Sequence, residues 1–204
     1  MPSRLDAQAE AVSAIFRLKR DSNVENQASL MTSFVGGPKV LATLTSDAGI
    51  FGAALNDAKL AGSSARLTPA LQVAQLILRN RQNPHQRQRV IVFVGSPLES
   101  QEGEGLVKQA MTLKKQGVAV DVIMFGSEQE QNTPLLKTFI SAVDSPESDE
   151  DSRSSLIGVP VGQHLLEYLK SNLKMTSSSN TVMMDDEELD PELAMALKLS
   201  LEEQ

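Results

Sequence analysis

Apolar residues recur along this chain at two spacings, one helical and one strand-like, and the two alternate as far as Lys170. Leu5, Ala9, Val12, Phe16 and Lys19 fall at helical intervals over residues 4–19, with Pro2 ahead of the first turn. Gln27–Phe34 (QASLMTSF) reads as a strand, Val35–Lys39 (VGGPK) as a turn and Val40–Leu44 as a second, hairpin-paired strand. A helix is expected over Ser46–Leu60, broken at Gly62–Ser64. Another spans Leu67–Arg79, with Leu67, Leu71, Ala74 and Leu78 on one stripe. Val90–Gly95 (VIVFVG) is a continuous apolar run, the signature of a strand covered on both faces. Helix Gly105–Lys115, strand Val118–Phe125, helix Asn132–Val143, a polar loop Asp144–Ser155, strand Ser155–Val159 and helix Gln163–Lys170 follow. Such alternation predicts an α/β domain: an open, mostly parallel, Rossmann-like sheet with helices on both faces.

From Ser171 the periodicity is lost and serine accumulates, so residues 173–184 read as a flexible linker between a domain at 1–172 and a separate segment at 185–204. Charge supports the division. Eight of the 26 acidic residues and one of the 19 basic residues lie in 185–204, leaving 18 of each sign in the body. The net charge of −7 is therefore a property of the tail.

The tail has its own helical design. Asp190 is a good N-cap and Pro191 suits the first helical position, with acidic residues at the positive end of the helix dipole. Leu193, Ala196, Leu197, Ser200 and Leu201 then share one narrow face. Small residues flanked by leucines allow close approach to a partner, and acids at both ends suit a partner with a basic rim. A free helix this short is marginal in water, so the face implies a partner, or failing that the chain's own domain.

DDEELDPELAMALKLSLEEQ resembles a ubiquitin-interacting motif: an acidic run, a large apolar residue, two spacers, alanine, three spacers, serine, two spacers and an acid. The resemblance implies ubiquitin contacts by Glu187, Glu188, Asp190, Glu192, Leu193, Ala196, Leu197, Ser200, Leu201 and Glu203. The body points the same way. NRQNPHQRQRVIVFVGSPL (residues 80–98) and VAVDVIMFG (residues 118–126) are similar to the von Willebrand factor A domain of the proteasome's ubiquitin-receptor subunits, in which such a domain precedes such motifs. The family implies a non-catalytic subunit of the regulatory particle, cytoplasmic and nuclear. Its A domain would dock on lid and base subunits, and its tail would capture ubiquitin and polyubiquitin chains. The alternatives are a ubiquitin-binding adaptor outside the proteasome, in sorting or shuttling, and behind it a metal-dependent ligand-binding A domain.

Two departures from the family qualify this. A domains begin with a buried central strand just ahead of the first helix, whereas here that helix follows Met1 almost at once. The resemblance thus implies an N-terminally shortened domain lacking its first strand, whose neighbouring strands lose a ladder partner. Such a domain is expected to be destabilised unless another segment fills the gap, and a cooperative, high-temperature melt of residues 1–172 would count against this. Metal-dependent A domains also carry an Asp-x-Ser-x-Ser loop, a threonine and a later aspartate. The first is absent, Thr68-Pro69 stands near the second, and Gly95-Ser96 replaces the third, so no metal site and no cofactor are expected.

Composition narrows the remaining classes. There is no cysteine, only His85 and His164, no Trp and a single tyrosine, Tyr168. Thiolate chemistry is excluded, catalytic residues are not expected, and base stacking has few candidates. The loop holding Gly95, Gly103 and Gly105 matches neither a dinucleotide fingerprint nor a P-loop, and VGSPL is not a nucleophile elbow. Arg79, Arg81, His85, Arg87 and Arg89 form the one basic concentration, read as a solvated helix end or a protein-docking rim in preference to a nucleic-acid site. Ser145-Pro146 in the acidic stretch DSPESDED is a minor phosphosite candidate. No apolar run reaches the length of a membrane span, and no membrane partner is expected.

Overall fold

A computed structural model describes residues 3–34, 36–58, 65–98, 102–127, 129–144 and 153–172. The tail helix and the linker expected from the sequence lie outside these residues.

The described chain runs α1 (Arg4–Ser22), β1 (Ala28–Thr32), β2 (Lys39–Thr45), α2 (Ala48–Asn56), α3 (Leu67–Arg79), β3 (Gln88–Val94), α4 (Gly103–Lys115), β4 (Val118–Met124), α5 (Gln129–Val143), β5 (Ser155–Gly158) and α6 (Leu165–Asn172). The order of helices and strands is the one the spacing predicts. Local chemistry sets several boundaries. Ser3 and Asp6 close a reciprocal capping box at the start of α1, with Ser3 Oγ accepting from the Asp6 N–H and the Asp6 carboxylate accepting from the Ser3 N–H. Those Ser3 donors hold the Asp6 carboxyl below the usual carboxylate range. Asp47 caps α2 by accepting from the Gly49 and Ile50 N–H groups. Gly117, at φ 66°, takes the left-handed conformation that turns α4 into β4.

The sheet is divided in two. β1 and β2 form an antiparallel hairpin, while β3, β4 and β5 form a parallel sheet in that order. β4 is the central strand of the parallel sheet, and all seven of its residues are buried. Alternate side chains feed two cores. Val118, Val120, Val122 and Met124 pack with Leu71 of α3, Leu106 and Leu113 of α4, and Leu136 and Phe139 of α5. Ile123 and Phe125 face the other way, onto Ala11 of α1 and Leu165 and Leu169 of α6.

Two expectations need refinement. Of the stripe Leu5, Ala9, Val12, Phe16 and Lys19 on α1, Phe16 is buried and the others are half-buried, while Ala11, outside the stripe, is fully buried. Ala7, Ala11 and Ile15 meet the sheet, and Phe16 stacks on Phe51 of α2 with ring centroids 4.1 Å apart. Small residues at 7 and 11 let α1 sit close to the strands while Phe16 reaches sideways. The apolar run at 90–95 is covered on both faces, Val90 and Val92 packing on one core and Ile91 and Phe93 on the other, although within β3 only Val94 is fully buried. Among the described residues β3 has a ladder on one side only, which leaves its other residues partly exposed.

Candidate functional site

In parallel α/β sheets the carboxyl ends of the strands gather the loops that bind ligands. Among the described residues several of the chain's own side chains cross that rim. Arg4, the first residue of α1, donates from Nη1 to the Gly95 carbonyl at 3.0 Å. Gly95 itself is required by packing: a Cβ there would stand 2.5 Å from the Phe125 ring. Asn132 of α5 is buried and bridges the next turn, its Oδ1 accepting from Leu98 N–H and its Nδ2 donating to Ser96 O, both at 3.0 Å. Gln129 donates to the carbonyls of Gly126 and Val159 and ties the β4 and β5 loops together.

Glu102 closes the rim beside α3. That helix has Arg66 at its N-cap and no side-chain cap of its own. Glu102, 6% exposed, supplies one from 35 residues away: Oε2 accepts from the Leu67 N–H at 2.7 Å and from the Thr68 N–H at 3.1 Å. Its Oε1 lies 3.9 Å from Arg66 Nε.

These are the positions where a metal-dependent A domain would need its ligands, and the donors do not fit a divalent ion. The carboxylate beside Thr68 is committed to two backbone N–H groups, and a guanidinium rather than an acid sits over Gly95. Among the described residues no cluster of three or more His, Asp or Glu is placed to hold a metal, and no helix is long and apolar enough to cross a membrane.

The basic concentration resolves into separate tasks. Arg81 donates to Leu78 O and Pro84 O and braces the turn after α3. Arg89 pairs with Asp121, 2% exposed on β4, which also accepts from Ser155 Oγ of β5 at 2.7 Å. Arg79, His85 and Arg87 remain on the exposed surface of the turn. His164 Nε2 lies 3.6 Å from Glu10 Oε2, joining α6 to α1. The residues assigned to ubiquitin contact, Glu187, Glu188, Asp190, Glu192, Leu193, Ala196, Leu197, Ser200, Leu201 and Glu203, all lie outside the described residues. Sequence reasoning missed Arg4, Glu102, Asp121, Gln129 and Asn132. Asp121 alone leaves a local signal, an acid inside an apolar strand.

A parallel sheet covered by helices on both faces defines an α/β domain of the A type, and residues 1–97 match the von Willebrand factor type A domain. The described fold agrees with the crystal structure of the SpRpn10 VWA domain at a TM-score of 0.72 and 35% identity, covering 84% of this chain and 85% of that one. Along its length the chain is similar to the 26S proteasome regulatory subunit RPN10 of Saccharomyces cerevisiae, 42% identical over 99% of this chain and 81% of the relative. It is 38% identical to the 26S proteasome regulatory subunit rpn10 of Schizosaccharomyces pombe, over 100% of this chain and 82% of the relative. It is 36% identical to the 26S proteasome non-ATPase regulatory subunit 4 homolog of Arabidopsis thaliana, over 100% of this chain and 56% of the relative. The chain belongs to this family of 26S proteasome regulatory subunits.

Proposed function

We propose that this chain is a non-catalytic polyubiquitin receptor of the proteasome regulatory particle, acting in cytoplasm and nucleus. The A domain at 1–172 docks on lid and base subunits. Residues 173–184 form a linker, and the helix within 185–204 captures ubiquitin on substrates. The observation that carries this is the similarity to proteasome regulatory subunits over 100% of the chain, which takes in the acidic tail. The tail in turn fills every position of the ubiquitin-interacting pattern, from Asp186 through Leu193, Ala196 and Ser200 to Glu203.

Physically the two parts need each other. One short helix buries little area, so a single ubiquitin binds weakly, with Kd on the order of 0.1–1 mM. A chain of ubiquitins raises the local concentration, and the docked domain keeps the helix at the degradation machine. Ala196 sits where the helix must approach closest, and the Ser200 hydroxyl supplies a hydrogen bond on the same face.

The test is a titration of isotope-labelled ubiquitin with the full chain, followed by NMR. Saturable shifts on the apolar patch of ubiquitin are expected. Ala196→Asp abolishes them by burying an unpaired charge, and Ser200→Ala weakens binding by about 1 kcal/mol. Absence of shifts at millimolar concentration, or unchanged binding by both variants, overturns the assigned face. Affinity purification of the tagged chain tests the address: recovery of ubiquitin conjugates without proteasome subunits would favour an adaptor outside the proteasome.

A further inference from the structure

The basic concentration at the turn into β3 has a second contributor. α1 starts at the carboxyl rim, where Arg4 meets the Gly95 carbonyl, and runs to the amino end of the parallel sheet. There the residues after it are tied to the turn between α3 and β3. Gln86 Nε2 donates to Glu25 O at 3.0 Å, and Gln27 Nε2 lies 3.5 Å from Gln82 Oε1. The last turn of α1 supplies Lys19 and Arg20, the last turn of α3 supplies Arg79, and the turn itself supplies Arg81 and Arg87. Residues 17–27 and 76–88 together carry six Arg or Lys against Asp21 and Glu25, so this end is positive in a body with 18 charges of each sign. Cations at helix C-termini answer the helix dipole, but the apolar side chains among them do not. Val24 is 83% exposed, Leu76 57% and Leu18 45%. Large apolar groups ringed by one sign of charge make a surface for an oppositely charged, amphipathic partner.

The chain leaves α6 at this same end. α6 follows β5 and starts beside α1, with His164 Nε2 3.6 Å from Glu10 Oε2 and Leu165 and Leu169 packed with Ala11. The two helices run side by side in one direction, so the last residues of α6 point toward the positive end. Residues 173–184 then give twelve residues of linker, a reach of up to about 40 Å. A domain of this size has a radius of gyration of only about 16 Å. Residues 185–204 beyond it carry eight acids and one lysine around the stripe Leu193, Leu197 and Leu201. The other acidic run, residues 145–152, is anchored at α5 and β5, across β4 from this face.

We infer that the face formed by the ends of α1 and α3 and the turn into β3 docks the chain's own segment 185–204. The leucine stripe covers Leu18, Val24 and Leu76, and the acids meet the surrounding arginines and lysines. Tethering supplies the effective concentration that a short helix lacks. The docking does not depend on the ubiquitin reading. One consequence does rest on it: ubiquitin and the domain then compete for the same stripe, and ubiquitin affinity falls in proportion to the fraction of segments left undocked.

The chain has no cysteine, so a nitroxide on Lys198→Cys, outside the leucine stripe, reports the contact in the full chain. At low salt the label should broaden the amides of Leu18, Val24, Leu76 and His85 and leave those of Gly95 and Leu98 sharp, and high salt should reverse this. Leu197→Asp, which leaves the domain's sequence untouched, should abolish the broadening. So should Arg79→Glu with Arg87→Glu, in a chain whose melting temperature is unchanged. No selective broadening, or broadening that survives Leu197→Asp, overturns the docking. Broadening of an isotope-labelled chain by a nitroxide on a second, unlabelled chain would assign the segment to another copy and overturn the proposed occupant. The doubly reversed chain should also bind ubiquitin about threefold more tightly than the parent, and equal affinity would overturn the competition. Failure of the ubiquitin reading shows separately, as absence of shifts on labelled ubiquitin, while the nitroxide contact persists.

Discussion

Asp121 shows how one residue joins three strands. It is 2% exposed within an otherwise apolar β4, and its carboxylate is satisfied by Arg89 from β3 and Ser155 from β5. The two halves of the ion pair are not equivalent. Arg89 keeps 26% of its side-chain surface in water, whereas Asp121 keeps 3%. Removing the arginine strands a buried charge, so Arg89→Ala should cost about 3 kcal/mol. Asp121→Asn keeps an acceptor and the shape while leaving Arg89 able to reach solvent, and should cost about 1–2 kcal/mol. Urea unfolding of both variants checks the order, and a costlier Asp121→Asn would mean the guanidinium is the less solvated partner. The acid inside VAVDVIM is visible in the sequence. Its partners, 32 and 34 residues away, are not, because they meet only through the parallel register of β3, β4 and β5.

The helices divide the same way between what is local and what is not. The stripe Leu67, Leu71, Ala74 and Leu78 gives α3 its bounds directly from spacing, and the structure keeps them at Leu67–Arg79. The spacing says nothing of the cap, since Glu102 arrives from another turn. On α1 spacing finds Phe16 but misses Ala11, because the helix is covered on two sides and its alanines mark the closer contact. Two lost hydrogen bonds to one carboxylate oxygen and a lost negative charge at the dipole's positive end should make Glu102→Ala cost about 2 kcal/mol. Amide exchange should speed up first at Leu67 and Thr68, where the carboxylate accepts. Unchanged exchange at those two amides would mean water replaces the cap without loss.

Across the whole molecule, the division of the described strands into a hairpin and a parallel sheet sets how the domain should open. β4 is buried at every residue and has a ladder on both sides. The hairpin buries only Ala42 among its β2 residues and none in β1, and among the described residues its strands pair with each other and with no third strand. It is held to the rest by side-chain ties at its ends and by α2, whose Phe51 stacks on Phe16. Local opening free energy follows buried contacts and shared ladders, so the hairpin should release before the parallel sheet. Native-state hydrogen exchange in dilute urea should then place the Val120–Ile123 amides at the global unfolding free energy, and the β1 and β2 amides several kcal/mol below it, with a smaller urea dependence. Collapse of all these amides onto one isotherm would show that the side-chain ties bind the two sheets into a single cooperative unit.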